Sequence, residues 1–167
     1  MMKKGEMNRE HSYQPVTQEI AVQLQSIVGE RNIIFNDVER MLDYSHDEVA
    51  DPGYAFLPDV VVKPQSAQEI SQIMKLANKY RIPVTPRGGG TGLSCGAVPV
   101  LGGILLSLDR MNHILEIDKE NMMVVVEPGV VTREINIAVQ EHGLFYGGYP
   151  MSFESCFIGG NVAENAG

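Results

Sequence analysis

At 167 residues the chain has the length of one domain, enough to bury roughly two-thirds of the surface an unfolded chain exposes. Its 44% hydrophobic and 20% charged residues exclude a disordered protein. A net charge of -8 excludes the basic stripe that nucleic-acid binding requires, but not a phosphate-bearing cofactor held by backbone N–H groups.

Residues 1–15 are polar and expected to be frayed, so the folded unit is placed at 16–167. From Thr17 to Val28 the apolar residues Ile20, Leu24, Ile27 and Val28 share one helical face, with Thr17 as N-cap and Gly29 as stop. A second short helix is expected over 37–42, and 44–56 carries turn chemistry around Asp51-Pro52-Gly53. Val60-Val61-Val62 is a β-branched run closed by Pro64. Ser66 and Glu69 form a capping box, behind which Ile70, Ile73, Met74 and Ala77 have the spacing of a buried helix face. A strand over Pro83–Pro86 runs into a glycine-dense segment. Ile104–Leu108 is apolar on nearly every residue, as a strand covered on both faces would be.

Strand, helix, strand, loop, strand predicts a small parallel sheet with right-handed crossovers. The pattern then changes. Ile114–Ile117 and Met122–Val126 flank the turn residues 118–121, which predicts a hairpin and the start of an antiparallel layer. Thr132 is placed as the cap of a helix through Ile135, Ala138 and Val139 that ends at His142-Gly143. Residues 144–167 are rich in Gly, Ser, Pro and Asn and read as loop. The fold class expected is α+β (α/β), an incomplete domain whose antiparallel sheet lacks its closing strands.

The segment Pro86–Gly96 holds five glycines in eleven residues between two strands. Without Cβ atoms, successive N–H groups can converge on one anion while it approaches the backbone closely. Two familiar phosphate loops do not fit. A Walker loop needs Gly-Lys-Ser/Thr, and this segment has no lysine. The GxGxxG pattern fails at Leu93 when counted from Gly88 and at Cys95 when counted from Gly90, and no helical pattern follows. The two cysteines, Cys95 and Cys156, and the scattered His11, His46, His113 and His142 give neither zinc spacing nor a disulfide framework, so no metal site is expected. No run approaches the ~18 apolar residues of a membrane span, and no apolar stretch follows the basic start. A reduced, cytoplasmic protein is the expectation.

The run Pro83-Val84-Thr85-Pro86-Arg87-Gly88-Gly89-Gly90-Thr91-Gly92-Leu93-Ser94 and the run from Ile158 to Gly167, with Leu57–Val61 and Val126–Val130 in support, resemble the PCMH-type (vanillyl-alcohol oxidase type) FAD-binding flavoproteins. Within them the D-lactate dehydrogenase and glycolate oxidase large-subunit branch is the nearest match. The resemblance implies a cofactor, FAD, whose pyrophosphate is wrapped by the loop Arg87–Gly92. It carries cofactor-binding roles to Pro86, Arg87, Gly88, Gly89, Gly90, Thr91, Gly92 and Ser94. It carries them also to Pro150, Ser152, Cys156, Phe157, Ile158, Gly159, Gly160, Asn161, Asn165 and Ala166. Arg87 either neutralises a phosphate or pairs with an acid of the chain. Cys95 stands where relatives have another glycine, and Cys156 is expected to be a buried free thiol rather than a flavin attachment point.

The implied reaction is oxidation of a small 2-hydroxy acid, of D-lactate or glycolate type, by hydride transfer to flavin. Electrons would pass on to an acceptor protein or a quinone, and the complete complex could associate peripherally with a membrane. Relatives place their substrate-binding groups in a C-terminal half that this chain is expected to lack. No catalytic residue is therefore assigned, and the chain alone is expected to be inactive. The alternative is a non-catalytic flavin-binding or interaction module working with a separate chain. In either case the unfinished sheet offers an edge through which a homodimer could form.

Overall fold

A computed structural model describes residues 13–166. Of the stretch expected to be frayed, 1–12 lie outside the described residues. Inside it, the Gln14 N–H donates to the Arg81 carbonyl at 3.1 Å. Gly167, the last residue of the second motif, also lies outside.

Helix α1 spans Gln18–Val28, and its Thr17 cap accepts from the Ile20 N–H at 3.4 Å. Strand β1, Ile33–Phe35, follows. A single helical turn, α2, covers Val38–Met41, with the Asp37 carboxylate accepting from the Arg40 N–H. Strand β2 is Val60–Val62 and helix α3 is Ala67–Tyr80. At the start of α3 the Ser66 hydroxyl accepts from the Glu69 N–H at 3.2 Å. The Glu69 carboxylate reaches back to the Gln65 N–H at 2.8 Å, one residue further than the usual capping box. Strands β3, Val84–Arg87, and β4, Ile104–Ser107, complete a four-stranded sheet of order β1-β2-β4-β3.

β2, β4 and β3 run parallel, with Val61 opposite Leu105 and Thr85 opposite the same Leu105. One face of this sheet packs Val60, Val62, Ile104 and Leu106 against Leu24 and Val28 of α1 and Ile73 and Ala77 of α3. The other face buries Val61 and Leu105 against Ile34 and Met41. Both faces are covered, which is why Ile104–Ser107 shows no polar alternation. Met74, expected in the buried stripe of α3, is 46% exposed, because the stripe narrows to Ile73 and Ala77.

The hairpin forms as expected from β5, Ile114–Asp118, and β6, Met123–Val126, with Met122 in the left-handed region at φ 53° in the turn. Helix α4 spans Thr132–Gln140 and packs Ile135 with Val130 and Ile158 under the hairpin.

Three sequence expectations are corrected. Thr132 is the first helical residue rather than the cap. Its side chain is fully buried, and Val131 caps the helix with backbone alone. The expected loop 144–167 contains a helix, α5, over Ile158–Glu164. Its two glycines lower helical propensity and hid it, but Gly159 sits where a Cβ would stand 2.7 Å from Pro128, so the helix can dock closely there. And β1, an unforeseen edge strand, joins the sheet antiparallel to β2.

Candidate functional site

The glycine loop leaves the C-terminal end of β3 and returns to the start of β4, on the side where open parallel sheets receive ligands. Among the described residues, the amides of 88–92 donate to no protein group, and none of these five residues is buried. Gly89 lies so close to the 155–156 peptide that a Cβ would stand 2.6 Å from the Ser155 carbonyl oxygen. Gly88 lies 3.4 Å, on the same measure, from Phe157. The loop therefore packs flush on the segment 150–157 with backbone alone.

Between them is an open hollow of about 520 Å³. Gly88, Gly89, Gly90, Thr91 and Gly92 form one wall. Pro150, Ser152, Cys156, Phe157, Gly160, Asn161 and Ala166 form the other. Twelve of the expected cofactor-binding residues are thus brought together around one concavity.

α5 supplies the floor. Its first two N–H groups are taken by the Val130 and Pro128 carbonyls, which tie it to the hairpin layer, while among the described residues the Gly160 amide finds no acceptor. Below Gly160 is a buried polar knot. The Asn161 amide donates to the Thr132 hydroxyl at 2.6 Å and lies 3.4 Å from the Cys156 sulfur. Cys156 is buried and forms no disulfide.

The remaining six expected residues lie off the hollow. Pro86 is on the exposed side of β3, and Ile158 is in the core beneath α5. Gly159 faces Pro128, and Asn165 caps α5 in the left-handed region at φ 53°. The Ser94 hydroxyl donates to the Glu164 carboxylate at 3.3 Å. Arg87 is only 8% exposed, and its guanidinium donates to backbone carbonyls of Asp43 and His46. Its hydrogen bonds go to main-chain carbonyls, and the carboxylate of Asp47 is the largest charge that favours its ionised form.

Five residues that the sequence did not assign also line the hollow: Glu48, Leu93, Ala97, Met151 and Glu164. Glu48 comes from the irregular segment before β2, and nothing in its local sequence marks it. Glu164 was within reach, because it lies one helical turn beyond Asn161 and Gly160 on α5.

Among the described residues the charged groups on the hollow are both carboxylates, Glu48 and Glu164. An anion seated there would be held by neutral amides. Burial pushes the Arg87 guanidinium down from its ordinary value, opposed by the charges of Asp47, Tyr44 and Asp43. The Cys95 thiol is pushed up, by burial first and then by Asp47 and Asp51. Cys95 has φ 60°, the left-handed region that glycine adopts most readily. His113 pairs with Glu127 at 2.7 Å, away from the hollow. Among the described residues no group of three His, Cys, Asp or Glu could hold a metal, and no helix is long and apolar enough to cross a membrane.

A diphosphate fits this arrangement. It needs several N–H donors at close range, and the unpartnered amides of 88–92 and 160 offer them in a wall nearly stripped of side chains.

Comparison with known proteins agrees. The family described as FAD binding domain matches residues 58–167. Glycolate oxidase subunit GlcD of Bacillus subtilis (strain 168) is 41% identical over 152 residues, covering 91% of this chain and 32% of that protein. A D-lactate dehydrogenase of Anaerostipes hadrus is 39% identical over 158 residues, covering 95% and 32%. The solved structure of p-cresol methylhydroxylase with substrate bound superposes with a TM-score of 0.66 at 28% identity, covering 77% of this chain and 26% of that one. The chain spans about a third of the length of the curated relatives it matches.

Proposed function

We infer, from a chain that belongs to the PCMH-type FAD-binding domain family, that its hollow clasps the FAD pyrophosphate and that the complete protein oxidises a small 2-hydroxy acid. The observation that carries the first half is the row of five successive amides, 88–92, on the wall of a concavity with no acceptor among the described residues. The similarity to a glycolate oxidase subunit and a D-lactate dehydrogenase supports the second half.

The residues of this chain bind and orient. Gly88–Gly92 present fixed dipoles to the diphosphate, and the glycines' lack of Cβ atoms lets its oxygens come within hydrogen-bond range of the main chain. Cys156, Phe157, Gly160 and Asn161 form the facing wall. The Asn161–Thr132 bond fixes that wall against the hairpin layer, so the two walls keep their spacing. When bound, the flavin ring supplies a two-electron acceptor for the hydrogen on the carbon that bears the hydroxyl. The groups that bind the substrate carboxylate and take its hydroxyl proton belong to the length of the relatives that this chain does not span. Electrons then leave to an acceptor protein or a quinone.

The test is made on the full-length protein. Heat-released flavin, identified as FAD by chromatography, and anaerobic bleaching of the bound flavin by D-lactate or glycolate are the expected results. A colourless protein that cannot be reconstituted with FAD refutes the cofactor assignment. A loaded protein bleached by neither acid refutes the substrate class.

A further inference from the structure

Residues 43–48 precede the part of the chain matched by the FAD-binding family, and they carry no anion-binding pattern. They are nonetheless fastened to the glycine loop at several points. Arg87 Nη1 donates to the His46 carbonyl at 2.7 Å and Nη2 to the Asp43 carbonyl at 3.2 Å. A longer Nη1 contact, 3.4 Å, reaches the Ala97 carbonyl at the loop's far end. The Glu48 N–H donates to the Gly92 carbonyl at 3.0 Å. The guanidinium fills the space against Gly90, where any Cβ would overlap it, and Gly90 itself turns through φ 71°.

Beside this stands Asp47, 6% exposed. One of its carboxylate oxygens accepts from the Val49 N–H, and the other is buried with no hydrogen-bond partner among the described residues. That orphan oxygen lies 3.9 Å from where a Gly92 Cβ would be. A buried carboxylate left half-satisfied is costly unless a positive charge is near, and Arg87 is the buried cation of this region.

We propose that Arg87 is a positioning residue. It pins segment 43–48 behind the glycine loop and holds the amides of 88–92 in register for the diphosphate without touching it, and Asp47 is its buried counter-charge. The geometry asks for an arginine. Carbonyls at residues 43, 46 and 97 diverge around one planar head, and a lysine ammonium on a flexible stem cannot span all three. The proposal rests on the FAD reading for its consequence, and on the apo protein for its mechanics.

The experiment compares the full-length wild type with Arg87→Lys by hydrogen–deuterium exchange of the apo protein and by FAD titration. Exchange over 43–57, which contains the Glu48 and Phe56 amides, is expected to accelerate about tenfold. Exchange over 100–108 in the central strand should be unchanged, and the FAD dissociation constant should rise about tenfold. Weaker FAD binding with unaltered exchange over 43–57 would mean that Arg87 contacts the cofactor itself, and overturns the proposal. Equal acceleration in both regions would mean that it serves stability alone, and also overturns it. If Arg87→Lys does not fold, Asp47→Asn, which keeps shape and removes charge, should speed exchange over 43–57 about threefold, and no change there overturns the proposal. A wild type that binds no FAD would sink the proposed function, while the exchange comparison still reads the brace.

Discussion

The contact between Gly89 and the 155–156 peptide gives the sharpest test of how the site is built. In Gly89→Ala the new Cβ would stand 2.6 Å from the Ser155 carbonyl oxygen, whereas ordinary contact begins at 3.4 Å, so the two walls must part by about 3.4 − 2.6 = 0.8 Å. An amide held about 2.9 Å from a phosphate oxygen would then lie beyond about 3.5 Å, outside hydrogen-bond range. Losing one such bond to a charged acceptor costs about 1.5–3 kcal/mol, or roughly ten- to a hundredfold in FAD affinity. Fluorescence titration of the full-length apoprotein with FAD measures this directly. Gly147→Ala is the control, because nothing lies within 4 Å of its added Cβ. If the Gly89→Ala variant binds FAD within about twofold of wild type, close packing of the two walls is refuted as the basis of the grip.

Two further predictions concern the scaffold. Leu105 is fully buried between β2 and β3, and Leu105→Ala should cost about 2–5 kcal/mol, read as a lowered denaturation midpoint with unchanged slope. Glu127 accepts from the backbone N–H and the ring of His113, which hold its carboxyl below its ordinary value of 4.5. A carboxyl depressed in the folded state stabilises above the unfolded value, and that contribution fades as pH falls from about 4.5 through the lower folded value. Glu127→Gln should therefore lower the denaturation midpoint at pH 7 and have progressively less effect below pH about 4.5. A constant offset across that range would contradict it.

Much of this was legible in the sequence because local chemistry and tertiary role coincide. Thr17 and Ser66 cap helices with their own side chains, and Val60–Val62 and residues 104–106 are apolar throughout because both faces of the sheet are covered. The glycine loop and the run 158–166 were found as motifs, and they do meet around one hollow. What was missed depends on contacts between distant residues. Thr132 looks like a cap, and only Asn161 and Cys156, folded over it, make it a buried hydroxyl. α5 contains two glycines that argue against a helix, and it exists because Pro128 and Val130 hold its first turn. β1 is three residues long, too short to show a period. Glu48 reaches the hollow through one backbone bond to Gly92, and no local pattern encodes such a bond.

Holding an anion with neutral amides, inside a chain of net charge -8, separates capture from retention. On the proposed reading, this chain's own charge repels a phosphate-bearing molecule at distances beyond contact, so added salt is expected to quicken loading. Once the diphosphate is seated, short-range dipoles in a screened recess keep it, and ionic strength has little hold on its escape. On that reading loading is expected to respond to salt, and departure to be nearly indifferent to it.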